Sequence, residues 1–264
     1  MENGFKPAEP ISASRMAEFI LDVGVFLMSS GAHSGRVWRN CERMAARWDY
    51  HINISPTFTG ILISVWDKNN PDNVVTRYKA SPPSSVHLEV LTRISHLSWK
   101  IAYGEIGFTD ATTELNEIRK KPHYNHWVIA AAIGLACGLL CIVAGGDATN
   151  AGVAFAAASA GYISRFQILR KGFNNFLSLI IAAFITSLIA GADTVLGLGR
   201  APEMTLATAV LYLVPGVPLV NSVIDLLEGY FPASLSRSLF AASVLLCIAV
   251  GMTLSILLLG ISNF

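Results

Sequence analysis

One segment in the last third of the chain combines residues that break a helix with residues that could hold a ligand. Pro215 and Pro218 interrupt an apolar run around Gly216, and a proline removes a backbone donor and clashes with the preceding turn. If a helix resumes near Pro218, its N-terminal amides face the break and attract a carboxylate. Asn221 and Asp225 follow on one face of that helix. The pattern predicts a site for an amino acid, with its carboxylate on the amides and its ammonium near Asp225.

Two structural interpretations compete with this site. A proline-kinked packing helix would contain the same residues without binding a ligand. Asp225 could also be a solvated residue on a helix that lies in the membrane interface. Broken helices nevertheless build substrate sites in many transporters, because freed backbone groups at membrane depth need protein or a water-filled cavity around them. The segment favours a transporter and leaves both alternatives open.

Residue types suited to catalysis or metal binding show no recognisable spacing elsewhere. His33, His51, His87 and His96 are scattered without an HExxH pattern, and GxSxG, P-loop and GxGxxG motifs do not occur. The cysteines form no CxxC pair and are expected to be small buried apolar residues; they are Cys41, Cys137, Cys141 and Cys247. We therefore expect no metal site, no cofactor and no catalytic residue.

Composition divides the chain into a polar half and an apolar half. Hydrophobic residues make up 53% of the chain and charged residues only 14%, which departs from soluble proteins in both respects. Residues 1–126 hold 14 of the 19 Lys and Arg and 13 of the 18 Asp and Glu. The net charge of +1 argues against nucleic-acid binding. The first ten residues contain no apolar signal region, so we expect the N-terminus to stay in the cytoplasm.

The polar half predicts a small α+β domain over residues 14–121, after an expected disordered segment at 1–13. Periodicity predicts helices over 14–30, 34–48 and 84–103, strands over 51–55, 61–67 and 74–78, and a last short helix that ends at 119–121. Thr109 or Asp110 is expected to cap that last helix. Arginines recur every three or four residues along the second helix, as a solvated face or a surface for an anionic lipid or ligand; they are Arg36, Arg39, Arg43 and Arg47.

The apolar half, residues 122–264, predicts about five transmembrane helices, the fourth of them broken by proline and glycine. The spans are about 127–145, 149–165, 173–192, 204–220 and 238–260. Basic and then aromatic residues before Trp127 are typical of a membrane interface. Gly134 with Gly138, and Ala157 with Gly161, have a spacing of small residues that permits close helix contact. We expect these faces to support a complex with another membrane subunit or a homo-oligomer.

Basic residues predict the orientation of the spans. Seven of the eight basic residues from position 119 onward fall on one side; they are Arg119, Lys120, Lys121, Arg165, Arg170, Lys171 and Arg237. Arg200 alone falls on the other. The positive-inside rule then places the N-terminal domain in the cytoplasm and Phe264 outside. An odd number of spans is also what one half of an inverted repeat contains.

Three segments resemble a known family. LVPGVPLVNSVIDLLEGY resembles the signature of the threonine/serine exporter family, the turn at Gly145–Asp147 is similar to that family's turn, and Met28–Val37 is similar to its small-Gly-Ala … Arg-Val segment. The resemblance implies a cytoplasmic N-terminal domain and the export of small metabolites. Some members hold the whole transporter in one chain. Others, such as a bacterial succinate exporter pair, divide it into a larger subunit like this chain and a small membrane subunit.

Residues and resemblance together lead to one hypothesis. The chain is expected to be a multi-pass subunit of the cytoplasmic (inner) membrane that exports threonine and serine or a succinate-like dicarboxylate. The candidate pathway residues are Pro215, Gly216, Pro218, Asn221, Asp225, Gly146, Asp147 and Arg165. The lipid bilayer and a second small membrane subunit, or a second copy of the chain, are the expected partners. An accessory subunit and a membrane-tethered hydrolase are the alternatives.

Overall fold

The computed structural model describes residues 11–57, 59–82, 86–120 and 124–261, and the chain divides into two compact units. The N-terminal unit combines Met1–Pro122 with Val217–Leu239. The C-terminal unit combines His123–Gly216 with Phe240–Phe264. Residues 217–239, predicted to belong to the membrane region, are thus part of the N-terminal unit. Residues 1–10 of the segment expected to be disordered lie outside the described residues, whereas Ser12 caps the first helix and Ala13 begins it.

The N-terminal unit is built from helices on a three-stranded antiparallel sheet, as predicted. Its elements are α1 (Ala13–Ser29), α2 (Ser34–Ala46), β1 (Tyr50–Thr57), β2 (Gly60–Asp67), β3 (Asn70–Ala80), α3 (Leu88–Ala102) and α4 (Phe108–Arg119). The strands pair in the order β1-β2-β3. Ile61, Ile63 and Val65 alternate along β2 and are buried in the core that α1 shares. This single core holds α1 and α2 in place.

Local details of this unit differ from the prediction. Helix α3 begins at Leu88, not at 84, and Val86 before it is exposed and not helical. Residues 83–85 of the predicted helix lie outside the described residues. Helix α4 follows Gly107, with no side-chain cap from Thr109 or Asp110. The predicted cap fails because the helix starts earlier, so those two residues lie inside it.

Two of the four arginines along α2 contact α3, whereas Arg39 is exposed. Arg36 donates to the carbonyl of Leu91 at 3.4 Å. Arg43 donates to Ser98 Oγ at 2.6 Å, and its guanidinium lies 3.8 Å from the ring centre of Trp99. The prediction of a solvated stripe was therefore wrong for Arg36 and Arg43, because α3 packs along that side of α2.

The remaining helices contain the apolar segments. They are α5 (His126–Val143), α6 (Ala148–Arg170), α7 (Asn175–Leu196), α8 (Pro202–Ala209), a short 3-10 helix (Leu211–Leu213), α9 (Gly216–Leu227) and α10 (Phe231–Leu259). Among the described residues, α5, α7 and α10 are long and apolar enough to cross a membrane, and the broken pair of α8 with α9 adds a fourth candidate. The predicted five spans are therefore reached only if α6, which is less apolar, also crosses.

Small residues let α5 and α6 pack closely within the chain. A Cβ atom on Gly138 would lie 2.8 Å from the carbonyl oxygen of Ala151, and one on Gly134 would lie 2.8 Å from that of Phe155. Ser159 also donates to the carbonyl of Ala130 at 3.2 Å. The prediction that this glycine face serves another subunit is corrected here, because a helix of the same chain already covers it.

The break before α9 is shorter than predicted. The 3-10 helix ends at Leu213, Val214 is extended, and α9 already begins at Gly216. Gly216 and Pro218 therefore belong to the helix, whereas a non-helical turn was predicted through both. Proline is tolerated there because the first turn of a helix has amides that need no intrahelical acceptor.

Helix α9 buries polar residues and exposes apolar ones. Asn221 and Asp225 are buried, whereas Val220, Val223 and Leu227 are 55–81% exposed. A surface helix of a soluble protein has the opposite arrangement. The exposed apolar side of α9, like the exposed leucines of α5 and α10, is suited to contact with lipid.

Candidate functional site

Asp225 caps the start of α2. The backbone N–H of Ser34, the first residue of α2, donates to Asp225 Oδ1 at 2.7 Å. His33 occupies the N-cap position and makes no side-chain cap hydrogen bond. The carboxylate from α9 therefore takes the place of a local cap and lies at the positive end of the α2 dipole.

A buried arginine completes this contact. Arg237 of α10 forms an ion pair with Asp225, whose Oδ2 lies 3.0 Å from the arginine Nε, and both side chains are buried. The same guanidinium donates to the carbonyl of Ala32 at 3.0 Å, and Asn221 Nδ2 donates to the carbonyl of Gly31 at 2.9 Å. Loop 31–34 is thus bound by two polar residues of α9 and one of α10. Two of the three family-like segments, Met28–Val37 and the one around Pro215, meet at this point.

Glu228 extends the network at its more exposed side. His33 Nδ1 lies 3.1 Å from Glu228 Oε2, and Arg39 donates to Oε1 at 3.0 Å. The ligand atoms of His33, Asp225 and Glu228 lie within 4.8 Å of one another, as in a possible metal site. Arg39 and Arg237 neutralise both carboxylates, however, and would repel a metal cation. We interpret the cluster as an ion-pair network that joins α2 to α9 and α10.

Replacing Glu228 with glutamine is expected to remove part of the acid sensitivity of this unit. Burial tends to raise the pKa of Glu228, but hydrogen bonds and charge from Arg39 and His33 outweigh it and hold the pKa below its usual range. A lowered folded-state pKa stabilises the protein above the unfolded pKa of about 4.3, and that stability is lost as the pH falls through the folded value. Wild-type Tm should exceed that of the variant at about pH 7 and lose this advantage below about pH 4.

Thermal unfolding across that pH range measures the effect. Glu117→Gln, at an exposed position of α4, is the matched control and should follow the wild-type profile. A Glu228→Gln profile that is parallel to the wild-type profile at every pH would contradict the assigned ion pairs.

Gly146 and Asp147 form the cap of α6 in the C-terminal unit. Asp147 accepts from the backbone of Thr149 and Asn150, each at 2.9 Å, and Asn150 Oδ1 accepts from the backbone of Asp147 at 3.0 Å, which completes a capping box. Backbone hydrogen bonds, of which that from Asn150 is the strongest, hold the pKa of Asp147 below its usual range. The turn therefore stabilises the start of α6.

A buried aspartate lies next to this cap. Asp193 of α7 accepts from Asn150 Nδ2 at 2.7 Å, from Thr205 Oγ1 at 2.5 Å and from the backbone of Gly199 at 2.9 Å. All its described partners are neutral donors, and they come from α6, α8 and the loop between α7 and α8. The network ties these elements together at one end of the unit.

Arg165 of α6 belongs to a third cluster. Helix α6 continues to Arg170, so Arg165 lies within the helix and not at its end as predicted. Arg165 Nη2 donates to Asn175 Oδ1 at 3.2 Å, and its Nε is buried without a hydrogen-bond partner. Of the eight predicted pathway residues, three lie at the break before α9 and the other five belong to three clusters: Asn221 with Asp225, Gly146 with Asp147, and Arg165.

Sequence reasoning missed several partners in these clusters. They are Arg237, Glu228, Asn150, Asp193, Thr205, Tyr212 and Asn175. The role of Asn150 could have been predicted from the sequence, since Asp147 and Asn150 have capping-box spacing. Asp193 was a weaker candidate for a buried site, as a single carboxylate at the end of an apolar segment. The pairing of Arg237 had no sequence pattern, because its partner lies on another element.

The helices and clusters together define a class of protein. The chain is a multi-pass membrane protein in which a polar α+β unit is bonded to a broken-helix segment. Residues 18–259 match the sequence model of the threonine/serine exporter family, ThrE. Because the match covers nearly the whole chain, the protein belongs to this family, as its resemblance had indicated.

Known proteins with similar sequences are of two kinds. "Probable succinate transporter subunit YjjP" from Escherichia coli (strain K12) is 22% identical over 92% of this chain and 94% of its own length. The protein of the same name from Klebsiella aerogenes is 24% identical over 72% of this chain and 74% of its own. "Probable threonine/serine exporter" from Mycobacterium tuberculosis is 26% identical over 97% of this chain but only 48% of its own length. No solved structure matches the chain.

Proposed function

We propose that this chain is the larger subunit of a secondary exporter for a small carboxylate-bearing metabolite. The observation that carries the proposal is the alignment with the Escherichia coli protein, which covers 92% of this chain and 94% of that one. That relative is named as a transporter subunit. The Mycobacterium tuberculosis relative is about twice as long for the same matched region, as expected if it holds both parts of the transporter.

The proposed topology has five crossings with the N-terminal unit in the cytoplasm. Helix α6 is the fifth crossing: its 23 residues extend about 34 Å at 1.5 Å per residue, which exceeds a hydrocarbon core of about 30 Å. It contacts α5, α7 and α8, so its small residues face protein and need less apolar surface. The positive-inside rule supports this orientation, because seven of the eight basic residues from position 119 onward fall on one side under this assignment.

The proposed pathway includes the break before α9. No atom lies within 4 Å of the position that a Cβ on Gly216 would occupy, so the start of the helix has space beside it. The anion site there is limited, however: Pro215 and Pro218 have no amide hydrogen, and the amide of Gly216 bonds to the carbonyl of Val214 at 2.9 Å. The amide of Val217 and the helix dipole are left for a substrate carboxylate.

The other pathway residues have supporting tasks in this proposal. Asn221 and Asp225 hold the broken segment on loop 31–34, and an amino acid could reach Asp225 only by replacing Arg237. Gly146 and Asp147 set the start of α6. None of these tasks provides a positively charged partner for the substrate carboxylate.

A small second membrane subunit or a second copy of the chain is the proposed partner. The relatives that match this chain over most of both lengths are named as subunits. The same observation supports the alternative of an accessory subunit, in which the partner alone holds the pathway.

Efflux measurements test the proposed function. Cells that express the chain alone, or together with a small membrane subunit of the same family, are loaded with labelled threonine or succinate, and efflux is followed over time. We expect export of at least one of the two compounds; export only with both subunits supports the small subunit as the partner, and export by the chain alone supports a second copy. Stabilisation of the purified single chain by the exported compound supports a site in this chain. Efflux that stays at background for both compounds would contradict the proposal.

A further inference from the structure

The guanidinium of Arg165 lacks a counter-ion. Among the residues that the structure describes, its Nε is buried without a hydrogen-bond acceptor, and its Nη2 donates to the neutral side chain of Asn175. The groups that interact with it electrostatically are the hydroxyls of Tyr162 and Tyr212, with no carboxylate among the described residues. An arginine stays charged in proteins, and a charge buried among helices without a partner is strongly disfavoured. The guanidinium is therefore suited to pair with an anion.

Two tyrosine hydroxyls interact with the arginine, and a threonine hydroxyl is bonded to one of them. Tyr162 lies one turn before it on α6. Thr186 Oγ1 of α7 and the hydroxyl of Tyr212, which belongs to the 3-10 helix, are hydrogen-bonded at 3.0 Å. Gly161 makes room for this pair, because a Cβ atom there would collide with both hydroxyls. The cluster offers several donors beside a planar cation, which is the arrangement that recognises a carboxylate.

A cavity lies at one end of α5 and α6, and Tyr162 is part of its lining. It has a volume of about 260 Å³, and its lining includes His126, Trp127, Tyr162, Phe166 and Arg170. Tyr162 belongs to both the cavity and the hydroxyl cluster. His126 Nδ1 lies 3.3 Å from the Tyr162 hydroxyl. The volume suits a small metabolite, since drug-sized ligands occupy about 300–1,000 Å³.

We propose that Arg165, with the hydroxyls of Tyr162 and Tyr212, binds the carboxylate of the exported metabolite after it enters this cavity. This inference rests on the proposed function for the identity of the anion. The substrate carboxylate is the counter-ion that the guanidinium lacks, held by two parallel N–H groups. The amide at the start of α9 is not needed for this step.

Binding to the purified full-length chain tests the assignment separately from export. Threonine and succinate are titrated, and the thermal shift gives a half-saturating concentration; threoninamide and succinamide are the matched compounds without a carboxylate. Arg165→Gln should raise the half-saturating concentration at least tenfold. Arg165→Lys should give a smaller rise, because lysine keeps the positive charge but cannot donate two parallel hydrogen bonds to a carboxylate. Lys171→Gln, at an exposed position after α6, should bind like wild type.

Further outcomes decide between the two proposals. If Arg165→Gln cannot be purified, Arg165→Lys and Tyr162→Phe decide the question, each with an expected rise of several-fold. Unchanged binding in the variants, or equal binding of acid and amide, would overturn the Arg165 site while leaving export intact. Wild-type protein that binds a carboxylate through Arg165 but exports neither compound would overturn the proposed function alone. Wild-type protein that binds neither acid would overturn the site.

Discussion

Replacing Asp225 with alanine is expected to lower the free energy of unfolding of the N-terminal unit by about 3–5 kcal/mol. The change removes the acceptor of the Ser34 amide at the start of α2 and leaves Arg237 buried without its carboxylate. An uncompensated buried charge is among the most destabilising results of a single substitution. Hydrogen exchange of the full-length chain measures the effect, with faster exchange expected at residues 30–38 and 217–230.

Two further variants separate the charge from the packing. The double variant Asp225→Ala with Arg237→Ala has no unpaired guanidinium, so it should be more stable than the single variant Asp225→Ala. Asp72→Ala, at an exposed position of β3, should change stability by less than about 0.5 kcal/mol. Exchange in Asp225→Ala that equals the wild-type rate would contradict the buried ion pair.

Efflux by Asp225→Asn can report on the substrate class only after the stability of that variant has been measured, because the same residue supports the fold.

Replacing Gly138 with leucine is expected to destabilise the C-terminal unit by about 1–3 kcal/mol or more. The new Cβ would lie 2.8 Å from the carbonyl oxygen of Ala151, and this backbone atom cannot move without displacing α6. The expected result is a lower Tm and a smaller yield of monodisperse protein in detergent, measured by thermal unfolding and size-exclusion chromatography.

A glycine on the neighbouring helix provides the control. No atom lies within 4 Å of a Cβ atom on Gly152 of α6, so Gly152→Leu should be neutral or slightly stabilising, since leucine is the better helix former. A different result is informative about assembly. If Gly138→Leu keeps the wild-type Tm but loses a partner subunit, the glycine face binds that partner and not α6.

Local patterns were sufficient to predict the elements. The pattern over Ile61–Asp67 predicted a strand, and β2 is found there, with Ile61, Ile63 and Val65 buried. The proline pair predicted an interrupted helix, although Gly216 and Pro218 proved to belong to α9. The Gly134 and Gly138 spacing predicted close helix contact but could not name the helix, because any helix with small residues satisfies the same pattern.

The division into polar and apolar parts, most helices and strands, and membership of the exporter family could thus be predicted from the residues alone. The tasks of the ionisable residues could not, because they depend on contacts between distant parts of the chain. Asp225 was predicted to face a substrate, and the structure bonds it to Ser34, 191 positions earlier, and to Arg237 on the next helix. Arg165 had no predicted partner, and the structure surrounds it with neutral hydroxyls. Periodicity reports which face of a helix is apolar, whereas the energy of a buried charge depends on groups that are distant in the chain and are brought close only by folding.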